Sequence, residues 1–130
     1  MFRWLEHTGE AELAIEAPTA EAVFVDALLA LRELIGAGEH GGRVTRRVTA
    51  SGVDRPTLLA DWLSELVFLA ETEGFVADRV VALHLGEGNL AATVSGHLAS
   101  PPHLVKAVTY HRLTLEQAGS EWKATVVLDV

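Results

Sequence analysis

The amino-acid sequence predicts an α+β two-layer sandwich, in which two helices pack on a mixed, largely antiparallel sheet. In the first 71 residues, two segments carry apolar side chains at helical spacing, and each follows a segment that alternates as a strand does. The second half is rich in β-branched and aromatic residues, and two of its joints are typical of tight hairpin turns. Because hairpins join antiparallel strands, this order argues against a doubly wound parallel sheet.

The first half of the chain predicts the order strand, helix, strand, helix. Residues 11–17 alternate apolar side chains with glutamates, which is typical of a half-buried strand. A helix is predicted between Thr19, whose hydroxyl suits an N-cap, and Gly36, which ends the apolar periodicity. Residues 43–51 alternate again as a strand, and a second amphipathic helix is predicted from about residue 57 to 71.

The second half of the chain predicts four strands connected in part by hairpins. The predicted strands cover residues 80–85, 90–97, 105–115 and 122–130. Glycine-containing turns at residues 86–89 and 117–121 are expected to close two hairpins.

Length and composition indicate one globular domain over residues 1–130. Hydrophobic residues make up 49% of the 130 residues and charged residues 22%, which is enough apolar material for a core without covalent staples. The chain has no cysteine, which excludes disulfides, thiolate metal sites and a cysteine nucleophile. The first residues lack the apolar core of a signal peptide, and no run is long enough to span a membrane, so a cytoplasmic protein is expected.

The net charge of the chain indicates which kinds of partner it can bind. Ten Lys and Arg residues against 18 Asp and Glu residues give a net charge of −8. This sign disfavours stable direct binding of nucleic acid and favours a basic protein partner or a metal cation. Residues 56–78 contain five acids and no basic residue, so the second helix and the loop after it are expected to form an acidic surface.

The C-terminal residues are a candidate cation site. Asp129 is followed only by Val130, so a side-chain carboxylate and the final backbone carboxylate are expected within a few ångströms of each other. Two such anions repel unless a cation or hydrogen-bond donors compensate them, and Glu10 at the start of the first predicted strand would add a third oxygen donor. The alternative is a solvated chain end with Asp129 exposed.

Other chemistry-bearing residues are sparse. The six histidines show no metal-ligand spacing, and no serine lies in a nucleophile-elbow pattern, so the sequence predicts no enzyme. Lys106 is the only basic residue between Arg79 and Arg112 and lies in an apolar stretch. It is either an edge lysine that extends into solvent or a positive charge directed at a phosphate or a partner's carboxylate.

Five segments together resemble the archease family. They read Glu-His-Thr-Gly-Glu at residues 6–10, Asp-Trp-Leu-Ser-Glu-Leu at 61–66, Glu-Thr-Glu-Gly-Phe at 71–75, Lys-Ala-Val-Thr-Tyr-His at 106–111 and Val-Leu-Asp-Val at 127–130. They occur in the family's order and span nearly the whole chain.

The resemblance implies a non-catalytic protein cofactor of the RNA-splicing ligase RtcB, which joins RNA ends in tRNA splicing and RNA repair. Archeases promote guanylylation of this ligase and its multiple turnover. The family's divalent-cation site, typically described with Ca²⁺, corresponds to Glu10, Asp129 and Val130. Lys106 matches a lysine implicated in activation of the ligase, and His7 and His111 lie in matched motifs and are predicted to contact the partner with it.

The sequence departs from the family's pattern at one residue of the cation site. Glu10 stands where the family has aspartate, and its extra methylene moves the carboxylate outward. The flexible coordination of Ca²⁺ tolerates such a change better than the octahedral geometry of Mg²⁺.

Three alternatives to the ligase-cofactor hypothesis remain. The protein could be a chaperone-like modulator of RNA or DNA methylases, a metal-dependent enzyme in its own right, or a relic that has lost its metal through the change at Glu10. Calcium titration and a ligation assay separate these alternatives.

Overall fold

The computed structural model describes residues 1–36, 40–99 and 105–130. Within them the order is β1 (Phe2–His7), β2 (Glu10–Ala17), α1 (Ala20–Ile35), β3 (His40–Ser51), α2 (Arg55–Glu73), β4 (Phe75–Leu85), β5 (Asn89–Ala99), β6 (Ala107–Ala118) and β7 (Glu121–Asp129). Both predicted hairpins are present, between β4 and β5 and between β6 and β7.

The strands form two antiparallel sheets, with both helices packed on them. One sheet has the order β1-β2-β7-β6 and the other the order β3-β5-β4. Helix α1 contacts β2 and β4, and α2 contacts β3 and β6, so each helix bridges the two sheets. The predicted α+β class, with two helices on largely antiparallel strands, is confirmed, and the strands divide between two sheets rather than forming one.

Strand β1 was absent from the sequence-based prediction. It pairs with β2 through a hairpin whose turn contains Gly9 at a φ of 74°, a conformation that glycine adopts without strain. Phe2 and Trp4 are half-buried and pack against the core, while Arg3 and Leu5 are exposed. A strand this short, at the edge of a sheet, has a weak alternation signal.

Three further elements begin two or more residues earlier than predicted, and one of them is β3, which begins at His40 instead of residue 43. Strand β6 begins two residues later than predicted, at Ala107. Helix α2 begins at Arg55 because Asp54 caps it: the Asp54 carboxylate accepts a hydrogen bond from the backbone N–H of Thr57, and the Thr57 hydroxyl accepts one from the N–H of Asp54. Strand β4 begins at Phe75, directly after the left-handed Gly74 that ends α2. The first helix matches its prediction, since Thr19 caps α1 and Gly36 ends it.

The core lies between the helices and the sheets. Trp62 of α2 and Phe24 of α1 are fully buried, and the indole N–H of Trp62 donates a hydrogen bond of 3.0 Å to the Phe24 carbonyl. This bond satisfies the one polar atom of the Trp62 side chain and ties the two helices together.

A polar cluster crosses the three-stranded sheet. Arg43 of β3 makes two hydrogen bonds of 3.0 Å to the carboxylate of Asp78 on β4 and one of 2.8 Å to the hydroxyl of Ser95 on β5, which is 1% exposed. Partial burial opposes ionisation of Asp78, yet the hydrogen bonds and charge of Arg43, with the charges of His97 and Arg32, outweigh it and lower the pKa of Asp78.

This lowered pKa predicts a loss of stability in acid. The unfolded chain takes up the Asp78 proton at a higher pH than the folded chain, so the stabilisation is complete above the unfolded pKa of about 4 and is lost as pH falls through the folded pKa. We expect Asp78→Asn to cost about 1–2 kcal/mol at pH 7. Urea unfolding at pH 7 and at pH 3 should show this difference shrinking in acid, and a difference independent of pH would contradict the assignment.

Candidate functional site

Glu10 and Asp129 are direct neighbours across two paired strands. Glu10 begins β2, Asp129 ends β7, and the two residues face each other in the antiparallel register. The pairing continues past them, because the N–H of Val130 donates to the carbonyl of Gly9 at 3.2 Å. Residues that are separated by almost the whole chain therefore meet at one end of the four-stranded sheet.

Their side chains lie on the outer face of this sheet. The neighbours Ala11 and Leu128 are buried, so strand alternation directs Glu10 and Asp129 away from the core. The Glu10 side chain is 35% exposed, and Asp129 is exposed. Two adjacent carboxylates accessible to solvent are open to a cation.

A third charged side chain reaches this face from β6. The pairing of β6 with β7 shifts register between Thr109 and Thr114, and within this bulge Arg112 has a φ of 55°. Its guanidinium lies 3.3 Å from the carboxylate of Glu10 and 3.1 Å from that of Glu12. Arg112 was not among the residues singled out from the sequence, because no local pattern predicts this bulge.

The donor chemistry fits a hard cation. Glu10 and Asp129 supply carboxylate oxygens, the ligand type that Ca²⁺ prefers, and Ca²⁺ accepts water and backbone oxygens for its remaining positions. In the described part of the chain, no three His, Cys, Asp or Glu side chains are grouped as a metal site. The side chains present therefore amount to a pair of carboxylates accessible to solvent, with Val130 beside them.

Lys106 lies next to the carboxylates along the backbone but contributes to a different surface. Its N–H donates to the carbonyl of Asp129 at 2.8 Å, which places it beside the end of β7. Lys106 is exposed and lines a groove of about 290 Å³ between α2 and β6, together with Ser64, Phe68 and Glu71. Lys106 and the half-exposed Phe68 thus line the same groove.

Two histidines are predicted to contact the partner, and the structure describes all of His111 but only the backbone of His7. His111 is exposed in the β6 bulge, with its Nε2 2.7 Å from a guanidinium nitrogen of Arg112. The backbone of His7 pairs with Glu10 in the β1–β2 hairpin, and its side chain lies outside the described residues.

The expected acidic surface is smaller than the sequence suggested. Three of the five acids in residues 56–78 have partners: Asp61 accepts from the backbone N–H of Ser51, Glu73 pairs with Arg46, and Asp78 pairs with Arg43. The basic partners come from β3, which is distant in sequence from α2. Asp61, Glu65 and Glu71 form no ion pair among the described residues, and of these three only Asp61 accepts a hydrogen bond there.

Neither helix in the described residues combines the length and hydrophobicity needed to cross a membrane.

Comparison with known proteins gives a match over the full chain. The model of the Archease protein family (MTH1598/TM1083) matches residues 2–130. Curated relatives named "Protein archease" include one from Methanosarcina acetivorans, 35% identical over 99% of this chain and 95% of its own length. Another, from Methanopyrus kandleri, is 34% identical over 97% of this chain and 96% of its own length.

Two solved structures share the fold. The solution structure of protein 1598 from Methanobacterium thermoautotrophicum has a TM-score of 0.68 and 27% identity, and the match covers 99% of this chain and 98% of that one. A crystal structure from Thermotoga maritima, described as an archease and possible chaperone, has the same TM-score of 0.68 at 18% identity, covering 100% and 98% of the two chains. At that identity, the second likeness concerns the fold alone.

Proposed function

The chain belongs to the archease family, and on this premise we propose that it is a cytoplasmic protein cofactor that binds an RNA-splicing ligase of the RtcB type and activates it. The family match over residues 2–130 supports the accessory role that the motif resemblance implies. The proposal assigns no covalent chemistry to this chain and makes the ligase the enzyme.

The proposal is best supported by the positions of three motif residues in the fold. The motif residues Glu10, Lys106 and Asp129 come from three separate parts of the sequence, and the strand pairing brings their backbones to one end of the four-stranded sheet. Residues from unrelated positions that converge on one end of a fold form a plausible docking site for a partner. Here they combine a carboxylate pair on the outer face with a lysine that lines the adjacent groove.

The carboxylate pair is proposed to hold a divalent cation, Ca²⁺ in the first instance, with Val130 as a further ligand. A bound cation supplies positive charge and open coordination positions for anionic groups. Glu10 and Asp129 hold it at the sheet end, and the bond from Val130 to Gly9 keeps the last residue beside them.

Lys106 is proposed to contact the ligase or its nucleotide. An ammonium group is a compact point charge that suits a phosphate or a carboxylate. Phe68, which is 56% exposed in the same groove, offers apolar area next to that charge, a combination typical of protein interfaces.

The test is ligation by the cognate ligase under multiple-turnover conditions, with and without this protein. We expect stimulation, and a loss of at least tenfold on Asp129→Asn or Lys106→Ala. Glu121→Gln at the other end of β7 and Lys123→Ala on the same strand remove the same charges elsewhere and should leave stimulation intact.

Folded protein that gives no stimulation would overturn the ligase-cofactor proposal and favour the methylase-modulator alternative. If the Asp129→Asn variant still stimulates the ligase, the cation site has no part in the proposed activation. Absence of Ca²⁺ binding at millimolar concentration would favour the metal-free relic.

A further inference from the structure

Arg112 spans the four-stranded sheet on its outer face. It belongs to β6, whereas its contacts Glu10 and Glu12 belong to β2, and β7 lies between these two strands. Val127 of β7 is paired with Glu12 on one side and Thr109 on the other, and it is fully buried although it faces away from the core. An arginine that reaches from β6 to β2 must cross β7 at about this position.

The backbone around Arg112 is unusual. Among the described residues it is the only non-glycine residue with positive φ, and it lies where the β6–β7 register shifts. A left-handed conformation costs a residue with a side chain about 1 kcal/mol or more, so other contacts must compensate it. The two glutamate contacts and the approach to His111 are the contacts that hold Arg112 there.

We propose that Arg112 is a built-in counter-ion of Glu10, which a divalent cation must displace in order to use that carboxylate. The proposal rests on the proposed function only in taking Glu10 as a cation ligand. It assigns Arg112 a role in setting the affinity and charge selectivity of the site.

Charge and geometry explain the competition. The guanidinium nitrogen 3.3 Å from Glu10 lies within direct ion-pair distance of that carboxylate. A divalent ion coordinated by the same carboxylate would lie within a few ångströms of the guanidinium, and like charges that close repel. Glu12 gives Arg112 a second anchor, so the guanidinium can leave Glu10 without leaving the face of the sheet.

Selectivity follows from the same competition. A monovalent ion gains too little from two carboxylates to replace an arginine that is already paired, whereas a divalent ion gains more from the same ligands. Arg112 therefore raises the concentration at which Ca²⁺ binds and disfavours Na⁺ and K⁺. Because the Arg112 side chain is 44% exposed, solvent screens the competition and its effect on affinity is moderate.

Calorimetric titration with CaCl₂ tests the proposal on the isolated protein. Arg112→Gln is expected to bind Ca²⁺ about three- to tenfold more tightly than the unmodified protein at low salt, with the difference shrinking as ionic strength rises. Arg112→Lys keeps the positive charge that repels the cation and should stay within about twofold of the original affinity. Arg47→Gln removes one exposed positive charge from β3 and controls for net charge.

Each outcome supports or overturns the proposal. Tighter binding by Arg112→Gln alone supports it, as does binding by this variant when the unmodified protein does not bind. Equal Ca²⁺ affinities of Arg112→Gln and the unmodified protein overturn the counter-ion proposal but leave the proposed cation site in place. Absence of binding by every variant up to 10 mM overturns it together with the cation part of the proposed function.

A second measurement tests the counter-ion contact without any cation. Urea unfolding in EDTA of Arg112→Gln, Glu10→Gln and the double variant gives the coupling between the two side chains. Non-additive losses support the contact, and additive losses overturn it.

Discussion

Replacement of Trp62 by alanine is expected to destabilise the protein by about 3–5 kcal/mol, a large part of the total stability of a small domain. The side chain is fully buried between the helices, so its loss leaves a cavity and removes the hydrogen bond to the Phe24 carbonyl. Urea unfolding measures the change, and thermal melting should fall by roughly 10–20 °C.

Trp62→Phe separates packing from hydrogen bonding. It keeps much of the ring volume and removes the indole N–H, so we expect a loss of about 1–2 kcal/mol. A loss for Trp62→Ala no greater than that for Trp62→Phe would show that the pocket collapses around the smaller side chain, contrary to rigid packing around Trp62.

Replacement of Gly96 by alanine is expected to cost about 3 kcal/mol. Gly96 lies in β5, the central strand of its sheet, and a Cβ atom there would overlap the Val76 carbonyl and lie 2.8 Å from the Cα of Ala77. These are backbone atoms of the paired strand β4, which cannot move aside without disturbing the sheet. Urea unfolding is the measurement.

Gly42→Ala is the matched control. Gly42 lies in β3, and no atom comes within 4 Å of the position that its Cβ would occupy. We expect a change below about 0.5 kcal/mol. A loss at Gly96 as small as that at Gly42 would show that β4 shifts easily at its bulge.

The helices and most strands could be predicted from sequence because their signals are local. The apolar spacing of α1, the Thr19 cap and the terminal Gly36 act within a few residues of one another. Strand β1 and the start of α2 do not follow from apolar spacing: β1 is a short edge strand with half-buried side chains, and α2 begins at Arg55 because of its Asp54 cap.

The acidic surface shows where a composition argument fails. The sequence places five acids in residues 56–78, but the net charge of a surface depends on which side chains lie next to each other in the fold. Arg43 and Arg46 of β3 lie beside Asp78 and Glu73, and this neutralises part of the surface. Net charge along the chain does not contain this information.

By itself, the sequence determined the fold class, the family and the residues that could bind a cation or a partner, since periodicity, caps and ordered motifs are properties of the chain. The tertiary structure alone decided that Glu10 faces Asp129, that Lys106 lines a groove beside α2, and that Arg112 forms an ion pair with Glu10. Each of these depends on strand register, and register is set by the packing of whole strands against a shared core rather than by any short stretch of sequence.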